Sequence, residues 1–196
     1  MTHAVNDEAL DTIFRTARSQ NKWLDKPVSE ALLMAVYDLM RVGPTSANCS
    51  PARIIFAVSR EAKERLKPHL GPNNVDKTMT APAVAIVGYD LDFPRYMPKL
   101  FPHNQGAKDW FEDPAHRQTT AFRNGSLQGA YLIVAARALG LDCGPMSGFD
   151  NDGVDREFFS ETNIRSNFLC GLGYGDPSGL FARNPRLEFD EACKIQ

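Results

Sequence analysis

Three short segments of the chain gather hydrogen-bonding side chains without any titratable pair tuned for acid–base work. Ala17-Arg18-Ser19-Gln20-Asn21-Lys22-Trp23 places a dense set of donors at the predicted end of a helix, where they could meet a phosphate or a polar ring edge. Gly43-Pro44-Thr45-Ser46-Ala47-Asn48-Cys49-Ser50-Pro51 is a helix-to-strand loop of small polar residues bracketed by prolines, rigid enough to present backbone amides. Arg183-Asn184-Pro185-Arg186 offers two guanidinium forks of the kind that clamp a phosphate bidentately. Together the three read as capture of a cofactor. Taken singly, they also read as a solvated helix end, a capped loop and plain surface charge.

Other chemistries find little support. Gly171-Leu172-Gly173-Tyr174-Gly175 resembles the start of a dinucleotide fingerprint, yet Asp176-Pro177 follows at once and argues against the helix that would hold a pyrophosphate. A strand end with turn glycines is the better reading. His3, His69, His103 and His116 lie at no metal-ligand spacing, so no metal is expected. Ser147, in Gly144-Pro145-Met146-Ser147-Gly148, lacks the glycine spacing of a nucleophile elbow, and no side chain is assigned a catalytic role.

The elements that must position these segments follow from hydrophobic periodicity. Leu10, Ile13, Phe14 and Ala17 predict one face of a helix over residues 7–19. Ser29 caps a second helix carrying Leu32, Leu33, Val36, Leu39 and Met40, stopped by Gly43-Pro44. Residues 53–58 and 83–89 are β-branched apolar runs suited to strands buried on both faces, with a short helix at 61–66 between them. Residues 90–113 hold three prolines and five aromatics without a clean period, an excursion covering something. A long helix over 114–139, with Leu127, Ala130, Tyr131, Val134 and Ala138 as its stripe, ends at Gly140. Residues 141–144 and 166–174 predict a second strand pair, and residues 181–196 have no strong period.

At 196 residues and 43% hydrophobic, the chain is expected to be one α+β domain, residues 1–196, with a central mixed sheet flanked by helices. A net charge of -2 supplies no basic footprint for nucleic acid. No apolar run reaches membrane-spanning length, so a soluble, cytoplasmic protein without a membrane partner is expected. Cys49, Cys143, Cys170 and Cys193 form no CxxC pair and are read as reduced, with Cys143 and Cys170 packed in the core.

In order and spacing, the three segments resemble the nitroreductase family of flavoproteins along essentially the whole chain. The 43–51 loop is similar to the family's P-S-S-x-N-x-Q-P loop, and Pro145-Met146-Ser147-Gly148-Phe149-Asp150 to its P-x-x-G-F-D segment. The resemblance implies an intertwined homodimer that binds FMN. Arg18 and Ser19 would contact the FMN phosphate and ribityl end, and Gln20 and Asn21 the pyrimidine edge. Pro44, Thr45, Ser46 and Asn48 would reach the flavin of the partner subunit, with the long helix at the centre of the two-fold interface. Asn74 and Lys77 would approach the ring system. Pro145, Met146, Ser147 and Gly148 would lie along the flavin face, and Arg183 and Arg186 would bind phosphate. Asn21 stands where the family has its second basic residue, which implies a lowered flavin potential unless Lys22 or Lys77 compensates.

Within the family, the 43–53 run, Thr120-Ala121-Phe122-Arg123-Asn124 and residues 144–150 resemble the malonic semialdehyde reductase branch of pyrimidine catabolism. That resemblance implies ping-pong reduction of malonic semialdehyde to 3-hydroxypropionate, hydride passing from NADH or NADPH through flavin N5. Arg123 or Lys99 could hold the substrate carboxylate, although both also read as surface charge. The alternatives are a broad nitroaromatic or quinone reductase on the same fold, a non-catalytic flavin-binding protein, and an interaction module without cofactor.

Overall fold

The computed structural model describes residues 3–196. Four strands form one sheet in the order β1-β2-β4-β3: β1 is Ala52–Ala57, β2 Ala83–Asp90, β3 Asp142–Met146 and β4 Ile164–Gly173. All three ladders are antiparallel, so the expectation of a mixed sheet is corrected among the described residues. The one parallel element is an isolated bridge between Ser19 and Cys143.

The central strand β2 is buried along its whole length, as its apolar run predicts. Period-two alternation sends Ala83, Ala85 and Val87 to one face and Val84 and Ile86 to the other. The first face packs on Leu33, Val36 and Met40 of α2 (Glu30–Met40) and on Leu132, Ala135 and Ala136 of α6 (Pro114–Ala138). The second packs on Leu66 of α3 (Arg60–Leu66), on Ala81 after α4 (Val75–Thr80), and on Val154 of α7 (Asn151–Phe158). Strand β1 behaves differently from its prediction. It is the sheet edge in this chain and is only half-buried.

Two helices depart from the sequence reading. The first is a single α-turn, α1 (Asp7–Leu10), which widens into a π-turn at Asp11–Arg15; Phe14 is left exposed and the helix stops before Arg18. In α6 the predicted stripe is largely the outward side, where Leu127 and Ala130 are exposed. Its buried side is Ala121, Asn124, Gly125, Gln128, Gly129, Leu132, Ala135 and Ala136. The physical reason is close approach: a Cβ on Gly125 would lie 2.8 Å from Tyr89 Cβ, and one on Gly129 2.4 Å from Phe168. Small residues and amides, not bulky apolar ones, let this helix lie on the sheet.

Residues 90–113 fold as short turns around α5 (Met97–Leu100) and build a satellite core of Phe93, Met97, Ala107 and Phe111. What they cover is Cys49 and Tyr89, at the root of the 43–51 loop. A last short helix, α8 (Phe189–Ala192), lies in the exposed C-terminal tail.

Candidate active site

The segment after the π-turn bridges the free edge of β3 at Ser19 and Cys143, then the chain just beyond β4 at Trp23 and Gly175. Gln20 N–H donates to the Cys143 carbonyl at 2.9 Å, and Leu24 N–H to the Tyr174 carbonyl at 2.8 Å. Trp23 fixes this path, because its indole lies on a seat of glycines. A Cβ on Gly171 would stand 2.6 Å from Trp23 Cζ2, and one on Gly144 or Gly173 3.1 Å from the ring. Its Nε1–H donates to the Lys77 carbonyl at 2.8 Å, tying the segment to α4. The glycines of the 171–175 run therefore serve packing, as the strand-end reading holds. A 3-10 turn at Pro177–Gly179 stands where a Rossmann fold would start its helix.

At one end of this segment lies a cleft of about 420 Å³ whose walls include Arg18, Ser19, Asn21, Arg137, Arg183 and Arg186. None of its four arginines forms an ion pair with a carboxylate among the described residues. The C-terminal tail straps the cleft: Arg18 donates to the Phe181 carbonyl, and Arg183 Nη2 donates to the carbonyls of Arg15 at 2.8 Å and Ala17 at 3.0 Å. Four cations, a serine and two asparagines without an acid make a donor set suited to a phosphate monoester. Gln20 does not join it. Its side chain is buried against Gly175, and its Oε1 has no hydrogen-bond partner.

Past the Trp23–Lys77 link, the end of β3 exposes Pro145 and the turn after it Ser147 and Gly148, while Met146 is buried with its sulfur 3.4 Å from Thr78 Oγ1. The Gly148 carbonyl accepts from Asn74 Nδ2 at 2.7 Å and from Gly71 N–H at 2.9 Å. Asp150 N–H donates to the His69 carbonyl at 2.7 Å. Asn74 thus holds the turn in place. Lys77, beside it on α4, has its pKa lowered by partial burial. Of the two lysines read as compensating Asn21, Lys22 is turned away: its stem lies where a Gly179 Cβ would be, and its charge acts on Asp176.

The 43–51 loop contributes nothing to the cleft of its own chain. It is strained and firmly held. Ala47, Asn48 and Ser50 have φ of 48°, 53° and 40°, which costs on the order of 1 kcal/mol each or more. The buried amides of α6 repay that strain. Ser46 N–H donates to Asn124 Oδ1 at 2.8 Å, and Ala52 N–H to Gln128 Oε1 at 2.8 Å. Tyr131 donates to the Pro44 carbonyl at 3.0 Å, Ser50 N–H to Thr45 Oγ1 at 3.1 Å, and Asn48 Nδ2 to the Leu100 carbonyl at 2.8 Å. Burial pushes the Cys49 thiol up to about 11, against the bond from Thr45, so this cysteine stays an inert thiol. All four cysteines are free.

Sequence reasoning missed Arg137 and the amide pair of α6. Arg137 sits in the last helical turn and reads as an ordinary surface residue there. The amides do leave a signal: Asn124-Gly125 and Gln128-Gly129 repeat at a spacing of four, one polar face of a helix beside two glycines.

The nitroreductase family model matches residues 14–175, and the chain belongs to the nitroreductase family. It is 61% identical to a protein of Ralstonia pickettii provisionally named NADH dehydrogenase/NAD(P)H nitroreductase HadB, over 95% of this chain and 97% of that one. A Stenotrophomonas maltophilia protein with the same provisional activity name is 61% identical over 100% of both chains. Among solved structures, a Bacillus subtilis protein provisionally named nitroreductase ydfN superposes with a TM-score of 0.87 at 20% identity, covering 97% of this chain and 100% of that one. A provisionally named nitroreductase of Exiguobacterium sibiricum, solved in complex with FMN, superposes at 0.85 and 19% identity over 100% of both chains. The fold is therefore nitroreductase-like, an α+β domain on an antiparallel sheet. No helix among the described residues is long and apolar enough to cross a membrane.

Proposed function

We propose that this protein is an FMN-dependent NAD(P)H oxidoreductase. The observation that carries the reading is the acid-free arginine cleft, lined by Ser19 and Asn21 of a segment that Trp23 ties to α4. Arg18, Ser19, Arg183 and Arg186 would hold the phosphate of the cofactor, and Asn21 its more distal polar groups. Asn74 fixes the turn against which the ring system would lie, and Lys77 would supply positive charge there. When bound, FMN supplies two-electron hydride chemistry between reduced nicotinamide and an acceptor. The protein's own part is orientation, exclusion of water and electrostatics, which needs no acid–base dyad. The relatives' names and the FMN-bound neighbour support the same class.

For the acceptor we favour malonic semialdehyde, reduced to 3-hydroxypropionate. Two of the runs that carry the sequence resemblance form one hydrogen-bonded unit, since Asn124 of the 120–124 run holds the backbone of Ser46 in the 43–53 run. The second reading, a nitroaromatic reductase, rests on the names of the relatives. Steady-state turnover of the yellow protein decides between them. We expect a higher kcat/KM with malonic semialdehyde than with a nitroaromatic; the reverse order removes the aldehyde assignment and leaves the flavoenzyme reading.

The active form is proposed to be a homodimer. Met34, Tyr37, Val42, Phe122 and Leu127 are exposed apolar side chains on and beside α2 and α6, next to a strained loop that does not line the arginine cleft of its own chain. Sedimentation of the FMN-loaded protein is expected to give twice the chain mass. A monomer that still holds FMN would overturn the shared site.

A further inference from the structure

Among the four arginines of the cleft, Arg137 is the one with a buried donor left without a partner. Arg18 and Arg183 are engaged by carbonyls of the tail strap and the first helix, and Arg186 donates only to the carbonyls of Asn184 and Pro185. Arg137 reaches the cleft out of the last turn of α6, and its Nη1 donates to the Ile13 carbonyl at 3.0 Å. Its Nε is buried and has no partner. A guanidinium makes bidentate contacts through a pair of parallel N–H groups, and the edge formed by Nε and Nη2 is separate from the Nη1 already bonded to Ile13.

A buried donor without an acceptor is costly, more so when it is charged. Here the cost is moderated by the C-terminal carbonyls of α6, whose partial negative charge favours a cation in the last turn. That placement allows a guanidinium to remain in the wall of the cleft without any carboxylate. It also leaves the Nε donor as the group an incoming anion would satisfy. We infer that Arg137 is a phosphate-binding residue: its Nε edge takes the terminal phosphate of FMN, and its Nη1 bond makes the position of the π-turn after α1 part of the same site. The inference rests on the FMN reading above and adds to it a residue from α6, an element outside the three segments that mark the cofactor site in the sequence.

The test separates phosphate from flavin by titrating the full-length, cofactor-stripped chain with FMN and with riboflavin, followed by flavin fluorescence. Loss of one charge-assisted hydrogen-bonding group should weaken FMN by about tenfold to a hundredfold in Arg137→Gln, with riboflavin changed by no more than about twofold. Arg137→Lys keeps the charge without the fork and is expected to fall between wild type and Arg137→Gln for FMN alone. This second variant also carries the test should the first not fold. Equal weakening of both ligands would mean that Arg137 only supports the π-turn after α1, and unchanged FMN affinity would mean that its edge stays empty; either result overturns the inference. A wild-type chain that binds neither ligand overturns the FMN reading itself, whereas wild-type FMN binding with an indifferent Arg137 overturns this inference alone.

Discussion

Trp23→Ala is expected to lower the free energy of unfolding by about 3 kcal/mol, toward the lower end of the range for removing a large aromatic because the indole is only partly buried. The magnitude comes from the seat beneath the ring. Gly144, Gly171 and Gly173 have no side chains with which to fill the space, and the strands that carry them are locked in a ladder. The vacated volume therefore stays vacated. The Lys77 carbonyl also loses its indole donor, a contribution of about 1 kcal/mol. Trp23→Phe should cost less, since most of the contact area survives. The consequence reaches the candidate site, because Trp23 sets the path of Ser19 and Asn21 along β3 and ties that path to the α4 segment that holds the 145–148 turn. Urea unfolding followed by circular dichroism measures the first effect, and FMN titration under native conditions the second. A loss under about 1 kcal/mol with unaltered FMN affinity would show that the glycine seat does not organise the site.

The second large effect concerns Asp90, whose side chain is 2% exposed. Its Oδ2 lies 2.8 Å from Arg53 and 3.8 Å from Arg95, as ion pairs without aligned hydrogen-bond geometry, while its Oδ1 accepts from Asp92 N–H at 2.8 Å. The same two guanidinium groups stack on Tyr96, at 4.9 and 4.8 Å from the ring centroid. One buried carboxylate thus gathers β1, β2 and the start of the 90–113 excursion. Removing one partner of a buried pair costs about 3–5 kcal/mol. For Asp90→Ala the lower value is expected, because Arg53 keeps its bonds to the carbonyls of Ser50 and Ala52 and is partly exposed. Asp90→Asn should recover part of the loss by keeping an acceptor for Asp92. Denaturant midpoints of the two variants, compared with Arg95→Ala, check the ranking: Arg95 is mostly exposed and more distant, so its removal should cost the least of the three. A mild Asp90→Ala beside a severe Arg95→Ala would contradict this account of the network.

Much of the candidate site was legible because its signals are local. Donor-rich runs such as residues 17–23 and 183–186 keep their chemistry whatever surrounds them, and the bracketing prolines and small residues of the 43–51 loop restrict its backbone directly. The fully apolar run of β2 and the Ser29 cap of α2 also appear where local rules put them. The errors share a cause. The stripe in α6 and the length of the first helix were judged by which residues are apolar, whereas burial in α6 is decided by how closely the helix must approach Tyr89 and Phe168, and so by glycine and amide. Gln20 shows the same limit at the level of one side chain. It lies between two cleft residues in sequence, yet the strand-like path along β3 alternates side chains and turns it inward against Gly175.

The amino-acid sequence by itself therefore determined the class of the molecule and marked two of the donor-rich segments that meet in one cleft, because composition, turn residues and clustered donors act over a few residues. Only the tertiary structure decided that the four arginines share one acid-free cleft, that Arg137 belongs to it, and that the amides of α6 hold the strained 43–51 loop. Those facts depend on contacts between residues more than seventy positions apart, such as Ser46 with Asn124 and Ile13 with Arg137. No local pattern encodes such distances; close packing of the helix on the sheet sets them.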